Sequence, residues 1–239
     1  MRFNDPQFAR EYESKLADEN YPGSLYTHVV RELAGCETVI DVGAGTGFFA
    51  LPLAKEGKQV TAVEPSPVMI GIMKSKITPG IKKNILIEQC AWEQWDGPAS
   101  EGLICMHSIY GMDDIPAALK KMKEKSHRSL VMVRAARGRR TISEVLRRHL
   151  VQTATAPDYP SLIKKALSKF EYHFTETLIE ETKIIRIQDL DREADFYSHQ
   201  IFKNREHKAE IIRLIAAESE NKGGTYRFTA LHRDHFFVF

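Results

Sequence analysis

The segment VIDVGAGTGFF, residues 39–49, constrains the fold more than any other stretch of this sequence. Its first half is apolar and β-branched, which is typical of a strand buried on both faces. Gly43, Gly45 and Gly47 allow a sharp turn into a helix and let the backbone approach a ligand closely. The pattern predicts that Asp41 lies at the carboxyl edge of a parallel sheet, where sheets of this kind bind their ligands.

Strand-like and helix-like segments alternate around this turn, which predicts an α/β fold with a doubly wound, mostly parallel, seven-stranded sheet. The predicted strands are ETVIDVGAG, KQVTAVEP, NILIEQC, EGLICMHS, RSLVMVRA, ETKIIRIQD and the closing GTYRFTALHRDHFFVF, which is one long strand or a hairpin. The predicted helices of the core are TGFFALPLAKEG, SPVMIGIMKSKI and IPAALKKMKEK. Later helices are predicted at ISEVLRRHL, at YPSLIKKALSKF and over most of residues 191–220.

Two helices are predicted before the first strand, and together they form a helical N-terminal lid. The first covers residues 3–20, and Pro22 and Gly23 break it. Ser24 is predicted to cap the second helix, SLYTHVVREL, which ends near Gly35. The other additions to the sheet are helical insertions after the fifth strand.

The spacing of the glycines argues against a dinucleotide site. Such a site uses G-x-G-x-x-G, and here Phe48 stands where the third glycine is needed for close packing and access to the pyrophosphate. The acid at Asp41, two residues before Gly43, would also repel a pyrophosphate. It suits a cationic ligand instead, and S-adenosylmethionine carries both an ammonium and a sulfonium group.

With these residues in place, the chain resembles the class I S-adenosylmethionine-dependent methyltransferases, small-molecule type, over roughly residues 31–134. The closing ALHRDHFFVF is similar to the last strand of quinone-biosynthesis methyltransferases. The resemblance implies a Rossmann-like methyltransferase fold in which Asp41 takes the amino group of the cofactor and Glu64 holds its ribose hydroxyls. It also implies that the methionine part and the adenine or ribose contact the glycine turn and the residues after the second strand: Gly43, Ala44, Gly45, Thr46, Gly47, Pro65, Ser66 and Met69.

The resemblance extends to the end of the third strand, where EQCAWEQW carries Cys90 at a position at which the family often has an acid. It implies that Ala91 and Trp92 enclose the adenine and that Glu93 replaces the acid as an acceptor. Plain packing of Trp92 and Trp95 under a loop is the alternative.

At the end of the fourth strand, the resemblance implies that Met106, His107 and Ser108 line the cofactor. His107 and Tyr110 are the candidate catalytic residues, because either side chain can orient a nucleophile or accept its proton. The alternatives are a histidine with only a structural role and a transfer that needs no base, in which alignment supplies much of the rate. From the N-terminal helices, Tyr12 is the candidate for contact with the cofactor's carboxylate.

Composition excludes several classes of protein. Lys and Arg number 34 against 32 Asp and Glu, so the chain as a whole lacks the strong positive charge of a nucleic-acid-binding domain. The basic run over 120–148 is either a site for an acidic substrate or RNA, or a solvated surface, and the second interpretation is favoured.

Three cysteines without a CxxC motif, no apolar stretch of membrane-spanning length and no secretory signal predict a cytoplasmic protein. His232 and His235 fall on opposite faces of a strand, so no metal site is predicted.

The chain is therefore predicted to be one methyltransferase domain over 1–239. Its parts are lid helices at 1–34, a cofactor-binding core at 35–140, a helical substrate cap with one strand at 141–220 and a closing strand or hairpin at 221–239. The predicted reaction moves a methyl group from S-adenosylmethionine to a small-molecule N, O, S or C nucleophile and leaves S-adenosylhomocysteine. An RNA methyltransferase, a cofactor-binding regulatory protein without turnover and a nucleotide-dependent oxidoreductase are the alternatives.

Overall fold

The N-terminal segment folds into two helices, as predicted, in a computed structural model that describes residues 2–151, 157–202 and 207–239. A 3-10 turn at Arg2–Asn4 leads into helix α1, Pro6–Asp18, and the Asp5 carboxylate caps this helix by accepting the N–H groups of residues 7 and 8. Helix α2 covers Ser24–Glu32. Gly23, at a φ of +54°, is its N-cap residue, so the prediction that Ser24 caps the helix is wrong. Ser24 is already the first helical residue.

Eight strands form the sheet of the described residues, in the order β3-β2-β1-β4-β5-β8-β6, with β7 paired to β8. Strands β1 to β5 are parallel, and β8 runs antiparallel to β5. Their bounds are β1 Thr38–Val42, β2 Gln59–Val63, β3 Ile85–Glu88, β4 Ser100–Met106, β5 Ser126–Arg134, β6 Thr175–Ile187, β7 Glu220–Lys222 and β8 Thr225–Val238.

This architecture confirms the predicted α/β fold with a mostly parallel sheet, although there are eight strands where seven were predicted. The additional strand is the short β7, which Gly223 and Gly224, both at positive φ, connect to β8. The closing segment is thus one long strand that also carries a short hairpin partner.

The remaining helices follow the predicted alternation, and Ser66 and Asp114 cap α4 and α6 by accepting backbone N–H groups of the first turn. The bounds are α3 Ala50–Lys55, α4 Pro67–Ser75, α5 Pro79–Lys82, α6 Ile115–Glu124, α7 Ile142–Leu150, α8 Tyr159–Lys169, α9 Leu190–Phe202 and α10 Lys208–Ala217. Predicted helical residues at 152–156 and 203–206 lie outside the described residues. In the described ranges, no helix combines the length and apolarity needed to cross a membrane.

The chain divides into two compact units. The first comprises Met1–Arg134, Asp158–Leu178 and Asp234–Phe239, and the second Ala135–Pro157 and Ile179–Arg233. The first unit contains the parallel strands, the glycine turn and a core in which strand residues such as Ile40 and Val131 pack with Trp92. In the second unit, Arg140 pairs with Glu218 at 2.9 Å. The single domain over 1–239 and its internal divisions stay a prediction.

Candidate active site

The glycine turn after β1 leaves its backbone open at one position. Gly43, Gly45 and Gly47 all have positive φ, between +57° and +85°. A Cβ atom at Gly43 would lie 2.4 Å from the Cβ of Ser108, and one at Gly47 would lie 2.8 Å from apolar side chains. At Gly45 it would meet only Met69 Cε, at 3.7 Å. Two of the glycines therefore serve close packing, while Gly45 leaves space for a ligand beside the backbone.

Two buried carboxyl groups flank this turn. Asp41, near the end of β1, is 2% exposed, and Glu64, directly after β2, is 6% exposed. Glu64 Oε2 accepts the N–H of Gly45 and Oε1 accepts the N–H of Ser66, each at 2.9 Å. Burial raises the pKa of Glu64, and these two hydrogen bonds offset part of that rise. The bonds fix the Glu64 carboxylate against the open part of the turn.

Asp41 carries an oxygen without a hydrogen-bond partner. Its Oδ2 atom is buried and has no donor among the described residues. Burial, followed by the charge of Glu64, raises the pKa of Asp41 to about 7. Leaving a buried acceptor unsatisfied costs roughly 1–3 kcal/mol, so a donor that reached this oxygen would be bound favourably. A cationic N–H donor such as an ammonium group fits both the charge and the missing hydrogen bond.

Helix α1 contacts the same turn through a side-chain hydrogen bond. Glu13 accepts a hydrogen bond from the Thr46 hydroxyl and forms an ion pair with Lys76 at 2.7 Å. The Ser66 hydroxyl donates to the carbonyl oxygen of Phe3 at 2.7 Å. The N-terminal segment thus contacts the glycine turn and the end of β2, as a lid over this site would.

Tyr12 is the predicted site residue of α1, and its ring centroid lies 5.2 Å from that of Phe3 and 6.1 Å from that of Phe8. Tyr12 also interacts electrostatically with Tyr21 and Arg134. Tyr12 is thus placed near Arg134, the last residue of β5.

After β3, Trp92 makes the contacts expected from the alternative interpretation, in which Trp92 and Trp95 pack under a loop. Its ring stacks on Trp95 at 5.4 Å, and its indole N–H donates to the carbonyl oxygen of Ala118 at 3.3 Å. Trp92 is 3% exposed, whereas Glu93 is exposed and Ala91 is partly buried. The indole therefore belongs to the core beneath α6, and a contact between Ala91 or Glu93 and adenine stays a prediction.

The end of β4 meets the glycine turn through Ser108. Its hydroxyl donates to the carbonyl oxygen of Val42 at 2.6 Å, and its Cβ fills the space that the missing side chain of Gly43 leaves. Met106 is buried at the last position of β4. His107 follows at a φ of +56°, a left-handed conformation that non-glycine residues seldom adopt and that occurs preferentially at functional sites.

His107 and Tyr110, the two predicted catalytic residues, contact each other. His107 Nδ1 lies 3.2 Å from the Tyr110 hydroxyl, which accepts the backbone N–H of Arg134 at 2.7 Å. On the other side of the ring, His107 Nε2 lies 3.8 Å from Asp234 Oδ1. The structure therefore brings together the predicted pair and adds an acid from β8.

Three residues of this cluster, Tyr21, Arg134 and Asp234, are absent from the predicted site. The Arg134 guanidinium interacts electrostatically with Tyr110, Tyr12, Asp234 and Tyr21. Burial raises the pKa of Tyr21 well above its usual value, so its phenol stays neutral and can donate a hydrogen bond. Asp234 lies opposite Arg134 in the antiparallel β5–β8 register. This pairing places both residues at the same edge of the sheet, but no local sequence pattern sets it, so the sequence offered no signal for Asp234.

Comparisons with known proteins agree with this geometry. Residues 39–128 match the model of a family described as a methyltransferase domain. The magnesium-protoporphyrin O-methyltransferase of Rhodobacter capsulatus is 26% identical over 157 residues, which are 65% of this chain and 69% of that protein. The structure of the YcgJ protein from Bacillus subtilis has a TM-score of 0.59 at 14% identity and covers 90% of this chain and 97% of its own. The plantazolicin methyltransferase BpumL, solved in complex with SAH, has a TM-score of 0.59 at 9% identity and covers 99% of this chain and 91% of its own.

A parallel sheet with a glycine-rich turn after its first strand and a buried acid after its second defines a Rossmann-like methyltransferase fold. Residues 39–128 of this chain are thus similar to a methyltransferase domain, and the chain shares its fold with a methyltransferase solved in complex with SAH. The Rossmann-like methyltransferase fold predicted from the sequence is thereby confirmed.

Proposed function

We propose that this chain transfers a methyl group from S-adenosylmethionine to a small-molecule nucleophile and releases S-adenosylhomocysteine. The observation that carries the proposal is the buried, unpartnered Oδ2 of Asp41, in the strand that leads into the glycine turn, where Gly45 leaves the backbone open. Asp41 Oδ2 lacks a donor among the described residues, the site holds two acids, and one glycine leaves space. Those properties match a ligand with an ammonium group, a sulfonium group and a ribose.

Different residues would bind different parts of the cofactor. Asp41 would bind the ammonium group, and Gly43, Ala44, Gly45, Thr46 and Gly47 would surround the methionine part. Each oxygen of Glu64 already accepts one backbone N–H and retains acceptor capacity, so the carboxylate can also take the two ribose hydroxyls. Met69, whose Cε lies near Gly45, would pack on the adenine or ribose, with Pro65 and Ser66 alongside.

When bound, the cofactor supplies an electrophilic methyl carbon on a positively charged sulfur. The chain's own contribution is to hold the acceptor in line with that carbon and to exclude water. His107 and Tyr110 at the end of β4 would orient the nucleophile and take up its proton.

The names of two similar proteins support a small-molecule methyl acceptor. The R. capsulatus protein is named for a porphyrin and BpumL for plantazolicin. The basic run over 120–148 also gives little support to RNA binding, because several of its cations are engaged locally. Lys125 pairs with Asp96 at 2.9 Å, Arg128 with Glu32 at 2.6 Å and Arg139 with Glu144 at 2.5 Å. A cytoplasmic location is part of the proposal, and it is supported by the three free thiols.

The test uses S-adenosylmethionine labelled on its methyl group and an extract separated into small-molecule, RNA and protein fractions. The native chain is expected to transfer label to the small-molecule fraction, and the Asp41→Asn variant is expected to transfer none. Label in the RNA fraction would establish the RNA methyltransferase alternative instead. Cofactor binding without transfer to any fraction would establish the regulatory alternative.

A further inference from the structure

Asp234, His107 and Tyr110 form a chain of polar side chains at the carboxyl edge of the sheet. They come from three different elements: β8, the residue after β4, and the 3-10 turn Ile109–Gly111. His107 stands between the other two, with Nδ1 3.2 Å from the Tyr110 hydroxyl and Nε2 3.8 Å from Asp234 Oδ1. The side chains of His107 and Asp234 are only 11% and 8% exposed. Little water therefore screens the interaction between them.

The charge of Asp234 decides which nitrogen of His107 carries the proton. A carboxylate disfavours a lone pair facing it and favours an N–H, so the proton of the neutral ring lies on Nε2. Nδ1 is then an acceptor, and the Tyr110 hydroxyl donates to it. The backbone N–H of Arg134 donates to the same hydroxyl oxygen at 2.7 Å, which agrees with this direction.

The backbone holds the histidine in place. His107 has a φ of +56°, and its N–H donates to the carbonyl oxygen of Met132 at 3.0 Å. A non-glycine residue in this left-handed conformation is strained, and the surrounding structure has to offset that strain. Asp234 is positioned separately, by the register that places it opposite Arg134.

Several charged or titratable groups of the first unit lie around His107. They are Tyr110 from the 3-10 turn, Tyr21, whose ring centroid lies 6.3 Å away, Asp234 from β8, and Arg134, which interacts with Asp234. The cation of Arg134 favours the ionised form of Asp234. Tyr21 stays neutral, as described above. Asp234 is therefore the group of this set that stabilises a positive charge on His107.

We propose that Asp234 is the positioning residue of a proton relay through His107 and Tyr110, and that the acceptor atom carries a proton before it is methylated. The inference rests on the proposed function. The acceptor atom forms its bond to the methyl carbon with a lone pair, and the electron pair of the broken carbon–sulfur bond stays on sulfur. The acceptor's proton passes to the Tyr110 oxygen as the proton of Tyr110 passes to His107 Nδ1, and the acceptor keeps the electron pair of its broken bond to hydrogen. Asp234 stabilises the imidazolium that results.

This relay selects a class of acceptor. A hydroxyl, an amine or a thiol carries a proton that must leave during or after methylation, and a relay lowers the barrier to that loss. An acceptor atom without a proton gains nothing from it. The relay is thus suited to acceptors with a protonated O, N or S nucleophile.

The test is a titration of the histidine side chains by nitrogen-15 NMR on the full chain without any ligand, with His107→Gln identifying the signal of His107. In Asp234→Asn, the midpoint of the His107 titration is expected to fall by about one pH unit, and Asp234→Glu is expected to restore most of it. Glu176→Gln is the matched control, because Glu176 lies 2.5 Å from Nδ1 of the neighbouring His235. It should leave the titration of His107 unchanged.

The nitrogen-15 shifts also report which nitrogen of His107 carries the proton. If His107 and Asp234 formed only a structural ion pair, removal of the Tyr110 hydroxyl would not change this tautomer. Native His107 is expected to carry its proton on Nε2, and Tyr110→Phe is expected to lose part of that preference. Equal His107 titrations in the native chain and Asp234→Asn would overturn the relay alone. Failure of S-adenosylmethionine to bind the native chain, measured separately by calorimetry, would overturn the proposed function and the relay with it.

Discussion

Asp41 and Glu64 are two buried carboxyl groups after neighbouring parallel strands, and the charge of Glu64 adds to burial in raising the pKa of Asp41 to about 7. Such a pair is unfavourable unless a cation or several donors lie near it. Glu64 has two backbone N–H donors, whereas Asp41 retains an oxygen with none among the described residues. We therefore expect Asp41 to bind a cationic donor.

The raised pKa of Asp41 makes stability depend on pH. Between about pH 4 and pH 7 the folded chain holds a proton on Asp41 that the unfolded chain releases, so this group's contribution to the free energy of unfolding falls as pH rises. Asp41→Asn removes the effect. The variant is expected to gain on the native chain by up to about 4 kcal/mol between pH 4 and pH 8, since each pKa unit corresponds to about 1.4 kcal/mol. Urea unfolding at several pH values measures the difference, and a difference that stays constant with pH would contradict the prediction.

Glu64→Gln is expected to weaken binding of S-adenosylhomocysteine by about 10- to 100-fold, the value of one or two hydrogen bonds to a charged group. Glu101→Gln is the matched control. Glu101 also accepts two backbone N–H groups, those of Glu37 and Thr38, but at the opposite end of the sheet. Calorimetry should show normal affinity for the control, and equal losses in both variants would show that the effect is structural.

Gly45→Ala tests whether a ligand occupies the space beside Gly45. Its effect on cofactor affinity has to be separated from the stability that alanine costs at a left-handed position. The left-handed φ of +57° makes alanine less stable there by about 1 kcal/mol, and only Met69 Cε lies within 4 Å of the new Cβ. Gly223→Ala carries a similar backbone cost at a φ of +60°, and nothing among the described residues lies within 4 Å of its Cβ. Both variants are expected to lose similar stability in urea unfolding, but only Gly45→Ala should lose cofactor affinity. Unchanged affinity in Gly45→Ala would place the cofactor elsewhere.

Glu13→Gln tests the attachment of α1. It removes the ion pair to Lys76 and weakens the bond to Thr46, so hydrogen exchange of the α1 amides is expected to rise several-fold. Affinity for S-adenosylhomocysteine should fall by up to about fivefold, since partly exposed pairs contribute up to about 1 kcal/mol. Glu11→Gln is the control, because Glu11 bonds only within α1, to Gln7. Faster exchange in both variants would refute a specific role for Glu13.

The sequence predicted what depends on local pattern. The order of strands and helices in the core, the glycine turn and the acid at Glu64 follow from residues that are close together in the chain, and the structure has the predicted fold. The boundaries differ where a glycine decides them. Gly23 takes the cap position that was assigned to Ser24, and Gly223 and Gly224 allow the additional strand β7.

The parts of the candidate site that the sequence did not predict depend on distant contacts. Asp234 reaches His107 because β8 pairs antiparallel with β5, and no local pattern sets that register. Arg134 was grouped with a basic run rather than with the tyrosines that surround it. Trp92 belongs to the core because Trp95 and Ala118 lie against it, and its own sequence context cannot separate that role from a contact with adenine.

The central claim is that Asp41 and Glu64 bind S-adenosylmethionine at the glycine turn, and calorimetric titration of the native chain with this cofactor at pH 6 and pH 8 tests it most directly. The account predicts one-to-one binding that is tighter at pH 8, where Asp41 is ionised, and that is weakened in Asp41→Asn. Nicotinamide dinucleotides should produce no binding heat under the same conditions. Binding of S-adenosylmethionine that is equally tight in Asp41→Asn, or no binding by the native chain, would contradict the account.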